Sequence, residues 1–159
     1  MGSASVIRLT APCTLRHRAL AVRLVAEACR LARSESTLET THDEQSPGYD
    51  LRDPFDAEIV SAFAEIYNNI VLHAYGRREG ETIEISIQIG DGNLTIEIRD
   101  TGIAFDPSTV PEPDLDSLPE GGMGLHIARA MLDEVAYEPG PPNLWRLTKR
   151  HRPNATKAS

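Results

Sequence analysis

The chain has 159 residues, a length typical of one domain with a single core. Hydrophobic residues make up 40% of it and charged residues 25%, values that exclude a disordered or fibrous chain. The formal net charge of −8 disfavours general nucleic-acid binding, because an acidic surface repels phosphate backbones. A net negative charge is compatible with solubility or with binding to a basic protein partner.

The cysteines and the hydropathy pattern bear on the compartment. Cys13 and Cys29 form no CxxC pair and no metal-ligand cluster, so we expect free thiols in a reducing cytoplasm. No apolar run approaches the roughly 20 residues needed to cross a bilayer, and the first residues lack a signal-peptide pattern. We therefore expect a cytoplasmic protein without membrane contact.

The first third of the chain predicts a strand, a helix and a long connection. Alternation of apolar and polar residues predicts a short strand over residues 5–9. An apolar stripe at helical spacing predicts a helix over residues 15–32. Residues 34–54 are polar and contain Pro47 and Gly48, which predicts a connection without regular structure.

A second helix is predicted over residues 56–75, where apolar residues form a broad face to be buried. We expect Asp53 to cap its N-terminus, with Pro54 in the first turn. Gly76 stands where a helix C-terminus favours glycine.

Two strands follow, over residues 82–89 and 94–98, in which Ile and Leu alternate with polar residues. The Asp91-Gly92 pair between them predicts an antiparallel hairpin. The alternation indicates one face on the core and one facing water.

The last third predicts a loop, a helix and a hairpin. Residues 103–120 contain four prolines and five acidic residues, which indicates a mobile acidic loop. Helical spacing predicts a helix over residues 123–135. Residues 136–138 and 144–149 predict a final hairpin, and residues 151–159 a frayed tail.

This order of elements predicts an α+β fold. It packs as a two-layer α/β sandwich, in which helices cover one face of a mostly antiparallel sheet. We expect residues 1–150 to form this single domain and residues 151–159 to be a disordered tail.

The first candidate motif is on the second predicted helix, where Glu65, Asn69 and His73 are four residues apart and share one side. Mg²⁺ prefers oxygen ligands and takes several of them from water and substrate phosphates, so the Asn69 amide oxygen is a candidate ligand. Glu65 is a candidate general base for an incoming hydroxyl. From the spacing alone, a polar stripe on a solvated helix is the simpler interpretation.

The second motif is the turn that contains Asp100 and Gly102. Asp100 ends a predicted strand, and its carboxylate could accept a hydrogen bond from an exocyclic amine such as that of adenine. Gly102 allows a tight turn with the backbone near a ligand. An ordinary Asp-x-Gly turn explains the same residues.

The third motif comprises Gly121, Gly122 and Gly124, ahead of the third predicted helix. Glycines at this position let backbone N–H groups and the helix dipole hold phosphates. A flexible hinge into a helix is the alternative. The motif is not a Walker A loop, because no Lys-Ser or Lys-Thr follows.

Together the three motifs resemble the GHKL ATPase superfamily, which has the Bergerat, or histidine-kinase-like ATPase, fold. Within it, the chain is similar to the anti-sigma-factor serine-protein kinases of bacterial partner-switching systems. The resemblance spans roughly residues 5–150. The helix motif is similar to the family's N box, and residues 100–107 and 121–127 are similar to its two glycine boxes.

The resemblance implies ATP and Mg²⁺ as cofactors. It implies that Glu65 is the catalytic base, that Asn69 coordinates Mg²⁺ and that Asp100 reads the adenine amino group. The other residues expected to bind the nucleotide are His73, Gly102, Ala104, Gly121, Gly122, Met123, Gly124 and Leu125.

Two residues depart from the family pattern. Ala104 stands where the family usually has a second glycine, which would reduce the flexibility of the lid. Met123 stands near a position that is often basic, which would weaken phosphate contact. Neither change removes a residue that nucleotide binding requires.

The resemblance implies a regulator that phosphorylates a serine or threonine on a small antagonist protein and sequesters a sigma factor. These two proteins are the expected partners, and a homodimer is a further expectation. The alternative is a nucleotide-gated interaction module without kinase activity. A sensor histidine kinase is disfavoured, because 159 residues leave no space for a phosphoacceptor hairpin and His17 fits no phosphoacceptor motif.

Overall fold

The computed structural model describes residues 4–36, 52–76, 78, 80–106 and 124–152, with the side chains of residues 34–36 excepted. The elements, in chain order, are β1 (Ser5–Pro12), a 3-10 turn (Leu15–His17), α1 (Arg18–Ser36), α2 (Pro54–Asn69), a π-helical turn (Ile70–Ala74), β2 (Thr82–Gly90), β3 (Asn93–Asp100), α3 (Gly124–Met131), β4 (Glu134–Glu138) and β5 (Asn143–Arg150).

The strands form one five-stranded sheet in the order β1-β2-β3-β5-β4, and every neighbouring pair is antiparallel. Asp91 and Gly92 join β2 to β3 with φ values of 54° and 72°. Positive φ at both positions is what a two-residue turn of type I′ requires, so the predicted hairpin is confirmed. β5 then lies beside β3 rather than beside β2, which brings the ends of β3 and β5 together at one edge of the molecule.

The helices cover one face of the sheet, as predicted, and the core lies between the two layers. Each of the two central hairpin strands alternates, with its apolar residues buried towards the helices: Ile83, Ile85, Ile87 and Ile89 on β2, and Leu94, Ile96 and Ile98 on β3. On the opposite face, Glu97 accepts hydrogen bonds from the guanidinium groups of Arg99 and Arg146. The α+β two-layer sandwich is thus confirmed.

The start of α2 has the predicted caps. The Asp53 side chain accepts a hydrogen bond from the Phe55 N–H at 2.9 Å, and Pro54 is the first helical residue. At the other end the helix widens into the π-helical turn, and Gly76 follows with a φ of 55°. The helical stretch was predicted correctly, but its widening was not.

The ends of the first and third predicted helices were each wrong by four residues. α1 continues to Ser36, so the predicted connection does not begin at residue 34, and its residues 37–51 lie outside the described part of the chain. The third helix ends at Met131, and Val135 belongs to β4, opposite Leu147 of β5. Pairing with β5 overrides the helical pattern, because the strand ladder satisfies backbone groups that α3 would otherwise use.

The end of the described chain is attached to the domain. The His151 N–H donates to the Gly92 carbonyl oxygen at 2.8 Å, and the His151 ring contacts the Phe55 ring edge-on at 5.1 Å. The remaining residues of the predicted tail, 153–159, are not among those the structure describes. Residues 103–106 are irregular, and the rest of the predicted acidic loop, 107–120, also lies outside the described ranges.

The two cysteines are free thiols, as expected, and both are buried in the core. Among the helices that the structure describes, none is long and apolar enough to cross a membrane.

Candidate functional site

A cavity of about 470 Å³, a size usual for a ligand site, opens where the end of α2 faces the ends of β3 and β4 and the start of β5. The described residues that line it are Asn69, Ile70, His73, Ala74, Asp100, Ile103, Ala104, Phe105, Asp106, Gly124, Leu125, Tyr137 and Trp145.

One wall of the cavity is a close contact between the π-helical turn and the turn after β3. The Ile103 N–H donates to the Ala74 carbonyl oxygen at 2.8 Å. A Cβ on Gly102 would lie 2.5 Å from that same oxygen. Only glycine allows the two backbones to approach this closely, which is why the sequence needs Gly102 here.

Tyr75 is fully buried and supports the turn after β3. Its hydroxyl donates to the Thr82 carbonyl oxygen at 2.9 Å and accepts from the Thr101 N–H at 2.8 Å. It therefore ties the start of β2 and the end of α2 to the turn that follows Asp100.

Asp100 is the last residue of β3, is 2% exposed and lines the cavity. Its Oδ1 accepts from the Gly102 N–H at 3.0 Å and from Asn143 Nδ2 at 2.9 Å. Burial raises the pKa of the Asp100 carboxyl, and these two hydrogen bonds oppose the rise. The arrangement puts a buried hydrogen-bond acceptor in the lining of the cavity.

Asn143, the first residue of β5, is a site residue that the sequence did not reveal. It is buried, and its amide nitrogen donates both to Asp100 and to the Gly102 carbonyl oxygen, the latter at 3.0 Å. In the sequence it follows two prolines, so it reads as an ordinary turn residue.

An aromatic wall formed by Phe105, Tyr137 and Trp145 closes another side of the cavity and was also missed. The Tyr137 ring lies 4.5 Å from the Trp145 ring and 5.8 Å from the Phe105 ring. The Tyr137 hydroxyl also accepts from the Phe105 N–H at 2.7 Å. Large flat side chains of this kind suit a flat heteroaromatic ligand.

Glu65 and Gly124 meet at the edge of the cavity, where the N-terminus of α3 packs against α2. A Cβ on Gly124 would lie 2.5 Å from Glu65 Oε2 and 3.1 Å from its Cβ. Glu65 itself is not among the described residues that line the cavity. Its carboxylate therefore lies beside the start of α3.

The structure brings most of the predicted site together. Of the predicted nucleotide-binding residues, it places these around one cavity: Asn69, His73, Asp100, Ala104, Gly124 and Leu125. Gly102 supports the wall and Glu65 is adjacent. Gly121, Gly122 and Met123 lie outside the described residues, and the individual roles remain predictions.

A magnesium ion would have few protein ligands here. The described residues contain no cluster of three or more His, Cys, Asp or Glu side chains that could hold a metal. Mg²⁺ is often bound by one or two protein groups together with waters and substrate phosphates. Asn69 lines the cavity and is only partly buried, so its amide group is the candidate for one such ligand.

The comparisons with known proteins agree with this geometry. Residues 11–149 match the family of the histidine kinase-like ATPase domain. The chain is 33% identical over 86 residues to an anti-sigma F factor from Clostridium botulinum, a match that covers 52% of this chain and 60% of the relative. It is 35% identical over 98 residues to the serine-protein kinase RsbW from Bacillus licheniformis, covering 55% and 59%.

An anti-sigma F factor from Clostridium novyi is 28% identical over 102 residues, covering 60% of this chain and 69% of the relative. The chain thus spans about 60% of the length of the first curated relatives that it matches.

Proposed function

Because the chain belongs to the histidine kinase-like ATPase family, we propose that it is a protein kinase of the anti-sigma type. It binds ATP in the cavity and transfers the γ-phosphoryl group to a serine or threonine of a small antagonist protein. The observation that carries this proposal is a single cavity bordered by Asp100 at one end and by Asn69 and Gly124 at the other.

The base end of the cavity suits adenine. The exocyclic amino group of adenine is a hydrogen-bond donor, and Asp100 is a buried acceptor with both of its described hydrogen bonds on Oδ1. The aromatic wall offers flat surfaces for the purine ring. Gly102 keeps the backbone close enough to Ala74 to shape this end of the cavity.

The other end suits the phosphates. The N-terminus of α3 begins at Gly124, which lines the cavity, and a helix N-terminus favours negative charge. Asn69 would supply one ligand to Mg²⁺, which when bound neutralises charge on the phosphates. We propose that Gly121 and Gly122, which precede Gly124 in the sequence, supply further phosphate contacts.

We propose Glu65 as the general base for phosphoryl transfer. It takes the proton of the attacking serine or threonine hydroxyl as the new O–P bond forms, and the bond from the γ-phosphorus to the bridging oxygen breaks to release ADP. Its carboxylate lies against Gly124, at the phosphate end, and Glu65 is only partly buried. We propose that the hydroxyl of a partner approaches Glu65 from this side.

The partners are proposed from the relatives, which are named as anti-sigma F factors and as a serine-protein kinase. We propose that this chain likewise binds a sigma factor and a small serine-bearing antagonist, and that it works as a homodimer.

The decisive test is the variant Glu65→Gln, incubated with labelled ATP, Mg²⁺ and the candidate antagonist. We expect phosphoryl transfer to fall about 100-fold or more, because the amide cannot accept the proton. ATP affinity, followed by the fluorescence of Trp145, the only tryptophan, should remain within about threefold, because the base makes no ground-state contact.

Glu84→Gln is the matched control, because Glu84 is exposed on the opposite face of the sheet, on β2. It should leave both binding and transfer at the parent level. Transfer that persists in Glu65→Gln at the parent rate would remove the catalytic role assigned to Glu65.

A nucleotide-gated interaction module without kinase activity is the second candidate. One observation favours it: Glu65 is absent from the described lining of the cavity. In that case ATP would change the affinity for the sigma factor, no phosphate would reach the antagonist, and Glu65→Gln would behave as the parent does. Partner binding measured with and without ATP, beside the transfer assay, separates the two functions.

A further inference from the structure

Asn143 is held in one orientation by the groups around it. Its Oδ1 accepts a hydrogen bond from the Gly140 N–H at 2.9 Å. Because an amide nitrogen cannot accept that bond, Nδ2 must point the other way, towards Asp100 and the Gly102 carbonyl oxygen. The side chain is 2% exposed, so water does not compete for these bonds.

This orientation decides which oxygen of Asp100 is left for a ligand. Both of its hydrogen bonds to described residues end on Oδ1. No fully buried side-chain nitrogen or oxygen lacks a partner in the part of the chain that the structure describes. Oδ2 of Asp100, which has no partner there, is therefore open to the cavity that Asp100 lines.

We propose that Asn143 is a positioning residue that sets the base specificity of the cavity, by holding Asp100 as an ionised acceptor for purines with a 6-amino group and against those with a 6-keto group. The inference rests on the proposed nucleotide binding and adds to it the residue that enforces the choice of base. Asn143 acts through Asp100 and is not assigned a contact with the nucleotide.

The chemistry of the two bases explains the choice. A 6-amino group donates to Oδ2, whereas a 6-keto oxygen would face the carboxylate as a second acceptor. Only a protonated Asp100 could donate to a keto oxygen. Burial favours that protonated form, and the hydrogen bond from Asn143 works against it.

Removing the Asn143 donor should therefore weaken ATP binding and also reduce the preference for a 6-amino purine over a 6-keto purine. The other titratable groups near the carboxyl are Cys13, Tyr137, and the cavity residues His73 and Asp106. The substitution itself changes none of these four groups, and the variants below test whether a change in base preference comes from the missing amide.

The experiment is calorimetric titration of the full chain with ATP and with inosine triphosphate, each with Mg²⁺. Inosine triphosphate differs from ATP only in its 6-keto group and the adjoining N1–H. We expect the parent to bind ATP about tenfold or more tighter, because the keto group leaves the buried carboxylate unpaired. For Asn143→Leu, the affinity for ATP divided by the affinity for inosine triphosphate should fall to about three or less.

Two further variants make the result decisive. Asn93→Leu is the matched control: Asn93 is the first residue of β3, pairs with Arg150 and lies at the opposite end of that strand from Asp100. It should keep the parent ratio. Asn143→Ser retains one donor and should give an intermediate ratio; it decides the matter if Asn143→Leu proves unfolded by circular dichroism.

The outcomes separate the two proposals. A parent that binds no ATP overturns nucleotide binding itself. A parent that binds both nucleotides equally, or a folded Asn143→Leu or Asn143→Ser with the full parent ratio, overturns only the role of Asn143. Loss of the ratio in the Asn143 variants, with Asn93→Leu unchanged, supports it.

Discussion

At the scale of single residues, the site depends on Asp100, a carboxylate whose burial is unfavourable for folding. Asp100 is buried among apolar and backbone groups, with hydrogen bonds to one oxygen only. Burying a carboxylate costs free energy, which hydrogen bonds offset only in part. A buried acid at the end of a strand that makes no ion pair with the described residues is characteristic of a binding function rather than a structural one.

The variant Asp100→Asn should separate the cost of burying the carboxylate from its contribution to ligand binding. The carbonyl oxygen of the new amide can still accept from Gly102 and Asn143, so the fold is retained. Its NH₂ group would face the amino group of adenine, so we expect ATP affinity to fall about 10-fold to 100-fold. Calorimetry with ATP measures this loss, and an unchanged affinity would contradict base recognition by Asp100.

The same variant has a signature in the pH dependence of stability. Burial raises the pKa of Asp100 in the folded state, so the folded chain holds this proton more tightly than the unfolded chain. The parent therefore loses stability as pH rises through that raised pKa, and the amide does not. The melting temperature of Asp100→Asn, relative to the parent, should rise from pH 4 to pH 7; a flat difference would show that Asp100 has an unshifted pKa.

At the scale of elements, the site is a contact between the end of one helix and the turn after one strand. The carbonyl oxygen of Ala74, in the π-helical turn, accepts a hydrogen bond from the Ile103 N–H. The Tyr75 hydroxyl accepts a second hydrogen bond, from the Thr101 N–H in the turn after β3. π-helical turns within α-helices are frequent at functional sites. Here the widened turn carries His73 into the lining of the cavity.

Gly102→Ala should disrupt this contact. Its Cβ would meet the carbonyl oxygen and carbon of Ala74 at 2.5 Å and 2.6 Å, and backbone cannot move aside as a flexible side chain could. We expect a loss of about 1–3 kcal/mol in the free energy of unfolding together with weakened ATP binding. Urea unfolding and Trp145 fluorescence measure the two effects.

Gly92→Ala is a comparison that affects stability alone. Gly92 has a φ of 72° in the β2–β3 hairpin, so alanine is strained there, but no atom crowds its Cβ position. Its ATP affinity should equal that of the parent. Equal ATP affinity in Gly102→Ala would mean that the turn after β3 does not shape the base pocket.

At the scale of the whole molecule, a buried ion pair links α1 to α2, the helix that carries part of the site. Arg33 of α1 donates from Nε and Nη2 to the two carboxylate oxygens of Asp56 on α2, each at 2.7 Å. The Asp56 side chain is fully buried, and Arg33 is 24% exposed. The pair therefore fixes α1 against the first turns of α2, the helix on which Glu65 and Asn69 lie.

Arg33→Met should leave the Asp56 charge buried without its bidentate partner. We expect a loss of about 3–5 kcal/mol in the free energy of unfolding, measured in urea, and partial recovery when Asp56→Leu is added. The control is Arg30→Met, since Arg30 pairs with the exposed Glu27 and should contribute under about 1 kcal/mol. Similar losses in Arg33→Met and Arg30→Met would argue against the buried pair as a tie between the helices.

Much of the fold and part of the site follow from spacing along the chain. Period-2 alternation predicted β2 and β3, helical periodicity predicted α1 and α2, and Asp91-Gly92 predicted the hairpin. These features are local, because each depends on residues within one or two turns of structure. The motif residues Asn69 and Asp100 were also identified from their local pattern, and the structure places both at one cavity.

The tertiary structure alone decided which residues surround that cavity and how they are held. Asn143 and Asp100 are 43 residues apart and meet only because β5 pairs with β3. Phe105 and Tyr137 are 32 residues apart and likewise meet only in the folded molecule, whereas Tyr137 and Trp145 are paired within the predicted β4–β5 hairpin. The end of α3 was likewise decided by strand pairing. Sequence periodicity carries information about neighbours along the chain, whereas strand order brings distant residues together, so the support for Asp100 could be found only in the folded molecule.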